Sequence, residues 1–509
     1  MQNKLFIEKS SFISRRKVMQ GAVAVAASTL LPGCGSSGIS GASTPPTTTG
    51  NAQPTPSGSI TQATLTVKAT AAGAIGPAFA GFSYEKNSLN IARFTASNAD
   101  LIGLFKRLGT SVLRIGGNSV DTNVWTPTGA GLTTGQIAPS DVASLAAFVK
   151  ATGWSCLYGI NLGGSATGTT TAALAAAEVA YAAAQFGSSL LGIEIGNECD
   201  LYGNSGNYYA GNWSLAQFET LWGQYRTAIL ATTPGVAITG PASASSETTW
   251  TVPFGKAVTK SEIPLLTQHY YRGNGSLPSS TVEVLVSADP TLITDLGEMQ
   301  TGAQQIGIPY RMAECNSFYN GGASGVSNSF GSSLWVIDYL FNCAQNGASG
   351  VNLHGGGNGT GYTPIADSNG AVVAARPEYY GVLLFTLAGQ GTLYTTQLSV
   401  GTLNATAYAV KTAAGGLNLV VVNKDTTQNL LLTTTLPQSA STASLLEMTQ
   451  LTSGATAPNL SATSGVTIQG ASVNVDGSFA PGAAYTLSPS GEQLTCYVPA
   501  LSAVLIQIA

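Results

Sequence analysis

A strand-like run followed by a helix-like one returns repeatedly between Phe79 and His354, and this alternation constrains the fold more than any other feature. The strand candidates are Phe79–Glu85, Val112–Gly117, Cys156–Leu162, Leu191–Asn197, Val236–Gly240, Leu265–Tyr271, Tyr310–Glu314 and Gly350–His354. Helix-like segments fall between them at Asn98–Leu108, Ser140–Thr152, Thr171–Phe186, Leu215–Ala231, Pro290–Gln304 and Asn328–Gln345. Helical periodicity is weaker after the fifth and eighth strands. The Ser140-Asp141 start, and the glycine that follows several segments, fit helix-cap chemistry. Eight such units predict an α/β fold, a (β/α)8 barrel of the TIM type. A doubly wound sheet is the alternative, but its first strand would lead into a Gly-rich dinucleotide turn, and none follows.

From about Leu393 the helical signal stops. Short alternating runs at Asn404–Val410, Leu417–Asn423, Asn429–Leu436, Val466–Val475 and Ala500–Ile508 are separated by Gly, Asn and Asp turns. They predict a C-terminal β-sandwich over 391–509, behind a barrel over 76–390. Ala63–Thr70 alternates as well, so residues 62–75 are expected to add an N-terminal strand to the sandwich. The sandwich is read as structural. A carbohydrate-binding module is the alternative, without a cluster of planar aromatics to support it.

Residues 1–34 read as an export signal. Ser14-Arg15-Arg16-Lys17-Val18-Met19 resembles the twin-arginine motif, and an apolar Ala/Val run continues to Leu31. Leu31-Pro32-Gly33-Cys34 resembles a bacterial lipobox, in which Cys34 would be lipidated and attach the protein to a membrane. Pro32 is unusual in that slot, and a plain secretory signal cut nearby is the alternative. Either reading predicts an exported protein: periplasmic, outer-membrane lipoprotein or secreted. Residues 35–61, rich in Gly, Ser, Thr and Pro, are expected to form a flexible tether.

Charge and rare residues narrow the chemistry. The formal net charge is −4, and without residues 1–33 the chain keeps 15 basic against 23 acidic residues, a balance of −8. Such a chain lacks the basic stripes that nucleic acid requires. It contains two histidines, His269 and His354, and six scattered cysteines. No H-E-x-x-H, C-x-x-C or G-x-S-x-G motif occurs, so no metal or cofactor is expected and thiol chemistry fits poorly.

Only 9% of residues are Asp, Glu, Lys or Arg, so carboxylates at strand ends stand out. The fourth strand candidate runs into Gly196-Asn197-Glu198, and the seventh ends on Glu314. Parallel barrel strands would raise both side chains at one C-terminal face. Two carboxylates across a cleft are the minimum for glycoside hydrolysis: one protonates the leaving oxygen, the other attacks the anomeric carbon. Burial and a neighbouring negative charge would raise the pKa of the acid. Glu194 shares strand parity with Glu198. It could line the barrel interior or pair with Arg114, and it is given no catalytic role.

At these residues the chain resembles the retaining glycosidases with glutamates on strands four and seven (clan A), and more narrowly glycoside hydrolase family 79. That family includes heparanase and bacterial β-glucuronidases. The resemblance is carried by Ile195-Gly196-Asn197-Glu198, Gln268-His269-Tyr270-Tyr271 and the Ala313–Gly322 stretch A-E-C-N-S-F-Y-N-G-G. Leu113-Arg114-Ile115-Gly116-Gly117 and Arg376-Pro377-Glu378-Tyr379-Tyr380 add to it, and the likeness runs from about Phe79 to Leu387. It implies Glu198 as acid/base and Glu314 as nucleophile of a double displacement. Asn197 would bond the sugar 2-hydroxyl, Tyr270 or Tyr271 would orient Glu314, and His269 would line the cleft. Glu85, Asn87 and Asn118 match positions near the ring hydroxyls. Tyr319, the Gly321-Gly322 turn and Tyr362 match groups that hold a sugar carboxylate, where each charge-assisted bond contributes about 1.5–3 kcal/mol.

Blander readings stand beside these. One of Tyr270 and Tyr271 should face the core, Tyr362 could be an ordinary loop aromatic, and the glycines could serve turns alone. Asn320 stands where heparanase continues a glycine run, and the chain lacks the basic residues heparanase uses on sulfated polysaccharide. The resemblance therefore favours an exo-acting β-glucuronidase on a glucuronic-acid-containing glycan or glucuronide over a heparanase-like endo-enzyme. A clan A enzyme for neutral sugars, xylosidase- or arabinofuranosidase-like, is the enzymatic alternative. A catalytically inactive carbohydrate-binding surface lipoprotein is the non-enzymatic one.

Overall fold

The computed structural model describes residues 51–509 apart from residue 245. The predicted export signal, the lipobox cysteine Cys34 and residues 35–50 of the predicted tether lie outside the described residues. From Asn51 onward the remaining tether is docked. The Asn51 amide donates to Ala483 O at 2.8 Å and the Gln53 amide to Tyr497 O at 2.8 Å. A strand begins at Ser59, earlier than expected, because its first residues pair in parallel with Gln428–Thr435 before the second partner joins at Thr64.

Eight parallel strands close into a barrel. In chain order they are Ala80–Glu85, Val112–Gly116, Ser155–Ile160, Leu190–Ile195, Ile238–Ser243, Leu266–Tyr271, Tyr310–Asn316 and Val351–Gly355. They correspond one for one to the predicted strands. Helices Ala99–Arg107, Pro139–Thr152, Ala172–Phe186, Leu215–Thr232, Pro290–Ile306 and Phe330–Gln345 occupy the predicted places. After the fifth strand the helical segment is short, Val252–Ala257 behind one wide turn, and after the eighth comes Pro377–Ala388. The second-layer helix starts at Pro139, and Asp141 caps it by accepting the Ala138 N–H at 2.9 Å.

Strand alternation sorts the barrel residues into two populations. Phe82, Ile115, Ile193 and Leu353 join the apolar layer under the helices. Ser83, Arg114, Glu194 and Asn352, one position away, bond to polar groups inside the barrel. Burying charge this way is costly unless every charge is paired, so these residues act as one network.

The C-terminal region is one ten-stranded sheet rather than two separately bonded sheets. Strand Ser59–Ile75 pairs in parallel with Gln428–Thr435 and antiparallel with Gly391–Ser399. The sheet curls so that Leu65, Leu419, Leu432, Leu445 and Ile506 share one core. Neighbouring positions Val420, Val422, Ala503 and Leu505 point the other way and pack into the barrel core. The expected strand Val466–Val475 is cut to Val466–Ile468, because the chain reverses at Gly470 and Ile468 bridges to Ala471.

Candidate active site

The C-terminal strand ends open into a cleft of 980 Å³ that holds Glu198, Glu314, His269, Tyr271, His354 and Glu85 in its wall. Glu198 lies just past the fourth strand with φ 49°, a left-handed backbone uncommon outside glycine. Its N–H donates to Ala242 O at 2.8 Å, and Ala242, also left-handed, sits on the fifth strand. Two neighbouring strand ends thus share a conformation of the kind that clusters at functional sites.

Glu314 reaches the cleft through a bulge in strand seven. Met312 pairs with Gln268, but Glu314 pairs with His269, so Ala313 is an extra residue on its strand. Arg311 and Glu314, three apart, therefore both meet interior partners, Asn352 and Arg114. A bulge is a standard means of re-aiming a side chain beside an active site.

Arg114 is fully buried and bonds three site groups. Its Nε donates to Glu194 Oε2 at 2.5 Å, Nη1 to Glu314 Oε2 at 2.7 Å and Nη2 to Asn197 Oδ1 at 2.9 Å. With Oδ1 held there, the Asn197 amide nitrogen turns toward Asn118, to which it donates at 3.2 Å. The backbone that packs on Arg114 is glycine: a Cβ on Gly116 would lie 2.4 Å from the guanidinium carbon. A Cβ on Gly117, which has φ +71°, would lie 2.5 Å from the Glu85 carboxyl carbon.

The nucleophile candidate is held as an anion. Burial alone would raise Glu314, but the charges of His354 and Arg114 and the Tyr271 hydroxyl outweigh it and hold it well below the usual carboxylate range. Tyr271 donates to Glu314 Oε1 at 2.8 Å. His354 lies 3.8 Å from Glu314 Oε2 and 3.6 Å from Glu85 Oε1. Burial works against its charged form, but the Glu314 and Glu85 carboxylates raise it above the ordinary histidine value. Glu85 also accepts the Ser119 N–H at 2.8 Å and the Asn118 N–H at 3.3 Å.

One atom each from Glu198, His269 and Glu314 lies within 4.8 Å of the others. Both Glu314 oxygens accept hydrogen bonds, from Arg114 and Tyr271, and Glu198 Oε1 is paired with the His269 ring. At the far wall of the cleft Glu247 and Asp295 meet Glu298, gathering three carboxylates. Burial first, then the Asp295 and Glu298 charges, push Glu247 up to about 7, so a proton relieves the crowding there.

Most of the predicted site residues meet at this cleft. Of the tyrosine pair, Tyr271 faces Glu314. Tyr270 takes the opposite side of the strand, stacks on Tyr339 at 5.3 Å and donates to Asp289. It borders the cleft beside Asp289 and is no partner of the nucleophile candidate, because successive strand residues face opposite ways. Tyr362 stacks on Tyr271 at 5.9 Å, and Tyr319 stands edge-on to Tyr271 at 6.5 Å, 45% exposed at the mouth. Gly321 lines the cleft, while Gly322 packs behind it against Ser327 and the Tyr362 backbone. Asn118 lines the cleft. Asn87 falls outside the wall: its side chain is exposed and its N–H donates to Ser119 Oγ at 3.0 Å.

Sequence reasoning missed two residues that build the site. From sequence, Arg114 belongs to a resembling stretch and can pair with Glu194 but has no link to Glu314 or Asn197, and His354 has no role. Both carried a signal: each is a basic residue at an inward position of an otherwise apolar strand.

A polar-cored (β/α)8 barrel with glutamates at the C-terminal ends of strands four and seven is thus the class of molecule defined by fold and site. No protein-family model matches the chain. It is 27% identical over 307 residues to a β-glucuronidase of Aspergillus niger, a match covering 53% of this chain and 55% of that one. The chain therefore aligns with only about half of that relative's length. In structure it resembles a 4-O-α-L-rhamnosyl-β-D-glucuronidase from Fusarium oxysporum 12S, with TM-score 0.69 and 18% identity over 87% of this chain and 99% of that one. It also resembles the GH51 arabinofuranosidase from Xanthomonas axonopodis pv. citri, with TM-score 0.61 and 14% identity over 88% and 100% of the two chains. These likenesses establish the barrel with a second β domain.

Proposed function

We propose that the protein is an exported, retaining glycoside hydrolase that releases terminal β-linked glucuronic acid, as in the bacterial members of family 79. The observation that carries this reading is the Glu198–Glu314 spacing. One oxygen of each carboxylate lies within 4.8 Å of the other, which supports a retaining pair, with carboxyl groups about 5–5.5 Å apart, over an inverting pair at about 6.5–9.5 Å.

In the first half-reaction a Glu314 oxygen forms a bond to C1 as the glycosidic C1–O bond breaks. Glu198 gives its proton to the departing oxygen, so the aglycone leaves as an alcohol. In the second, Glu198 takes a proton from water, the water oxygen bonds C1, and Glu314 is released. Arg114 and Tyr271 keep Glu314 ionised and aimed, and Asn197, which Arg114 orients and which bonds the cleft residue Asn118, is read as the partner of the 2-hydroxyl. For the sugar acid, the Tyr319 and Tyr362 hydroxyls are the supporting groups, because the Tyr362 N–H is already used on Gly321 O at 3.2 Å. The likeness to the A. niger β-glucuronidase supports the same sugar.

A hydrolase of neutral glycosides is the second reading, favoured by the likeness to the arabinofuranosidase fold. A panel of nitrophenyl glycosides separates the two. Turnover of the β-glucuronide, abolished by Glu314→Gln, is expected. Turnover of arabinofuranoside or xyloside with none of glucuronide would replace the first reading by the second.

A further inference from the structure

His269 sits on the sixth strand in register with Glu314, yet its ring bonds the other glutamate: Nδ1 lies 3.2 Å from Glu198 Oε1. The residue is 1% exposed, and its second ring nitrogen, Nε2, is buried with no hydrogen-bond partner among the described residues. A neutral imidazole carries one N–H and one lone pair. If the proton were on Nε2, a buried donor would have no acceptor, and Nδ1 would turn a lone pair toward a carboxylate oxygen. With the proton on Nδ1, the donor is satisfied by Glu198 and only a weak acceptor is left unpaired.

We infer that His269 is a positioning residue that donates from Nδ1 to Glu198 Oε1, and so keeps the transferable proton of the general acid on Oε2. The inference rests on the reading of Glu198 as proton donor. A protonated carboxyl has one O–H, and an oxygen already accepting from His269 is the poorer place for it. The proton therefore sits on the oxygen free to face the leaving group. As the C1–O bond breaks, the Oε2 proton passes to the departing oxygen and the bonding pair stays with that oxygen. The negative charge appears on the Glu198 carboxylate, where the waiting Nδ1–H strengthens its bond to Oε1. In the return step water restores the proton to Oε2. His269 neither gains nor loses a proton in either half.

This role differs from cleft lining in what it predicts for variants. Asparagine places an N–H donor near the Nδ1 position, whereas alanine supplies none. His269→Ala should slow substrates with a poor leaving group, such as an alkyl glucuronide, far more than a dinitrophenyl glucuronide that needs no acid. His269→Asn should recover much of the loss. Equal loss on both substrates, or an Asn variant no better than Ala, would overturn the assignment. If glucuronides are not turned over, the same pair of leaving groups is used on whichever glycoside the enzyme cleaves, so the sugar and the histidine are judged separately.

A second measurement does not depend on activity. The chain has only two histidines, so full-length protein labelled with 15N-histidine gives two ring systems, assigned by the His269→Asn variant. At neutral pH the His269 ring should show a protonated Nδ1 and a bare Nε2. A protonated Nε2, with Nδ1 bare or also protonated, would overturn the inference.

Discussion

Arg114 Nη1 donates to Glu314 Oε2 at 2.7 Å from a guanidinium that is wholly buried in the barrel. The same group bonds Glu194, so one cation balances glutamates on strands four and seven. Breaking a buried pair by removing one partner costs about 3–5 kcal/mol, because the other charge stays buried. Arg114→Ala should lose at least this much in denaturant unfolding and lose activity with it. Arg114→Lys keeps the charge but cannot serve Glu194, Glu314 and Asn197 together, and should recover only part of the stability. Wild-type stability in the alanine variant would remove Arg114 from this role.

The two tyrosines of strand six make opposite predictions. Tyr271→Phe removes a donor to the Glu314 carboxylate, a bond of about 1.5–3 kcal/mol, so kcat should fall about 10- to 100-fold with little change in melting temperature. Tyr270→Phe removes a donor to Asp289 and should cost stability while sparing kcat. Steady-state kinetics and thermal melts on both variants check the pair, and a larger kcat loss for Tyr270→Phe would reverse their assignment.

The eight strands were legible because helices cover the barrel, leaving each strand as a compact apolar run between turns. Glu198 and Glu314 were legible because charge is scarce. The contact between Arg114 and Glu314 was not, since it joins strands two and seven across the barrel and depends on the Ala313 bulge, which shifts parity without a sequence signal. Alternation required Tyr270 and Tyr271 to part company but could not say which faced inward. Asn87 misled because its neighbours Glu85 and Asn118 do reach the cleft wall, whereas the chain turns at Lys86 and buries that side chain against Glu178. The second β domain was legible because its short strands alternate inward and outward residues between Gly, Asn and Asp turns.

Glu378 predicts a pH effect on stability. Burial pushes its carboxyl up to about 8, against the bond it accepts from Asn316 at 2.9 Å. An unfolded chain would release that proton near pH 4.5. Between these values the unfolded state holds fewer protons than the folded one, so this residue makes stability fall as pH rises. Glu378→Gln should remove that slope and gain on wild type by a few kcal/mol between pH 5 and pH 8. Urea unfolding at the two pH values checks it, and an identical difference at both would contradict it.

The rim loops predict a binding defect. A Cβ on Gly361 would lie 1.6 Å from Gly321 O, so Gly361→Ala must part the loops that carry Tyr319 and Tyr362. Overpacking of this kind costs about 1–3 kcal/mol. KM for the glucuronide should rise more than kcat falls, because Glu198 and Glu314 stand on other segments. Steady-state kinetics decides this, and an unchanged KM would exclude these loops from holding the sugar.

As a retaining pair acting on a β-glucuronide, Glu198 and Glu314 would release the sugar with its anomeric configuration kept. Proton NMR of the sugar during the first minutes of hydrolysis tests it most directly, before the free acid equilibrates. The β-anomer of glucuronic acid should appear first and the α-anomer only later, by mutarotation. First release of the α-anomer, or no release of glucuronic acid, would contradict the account.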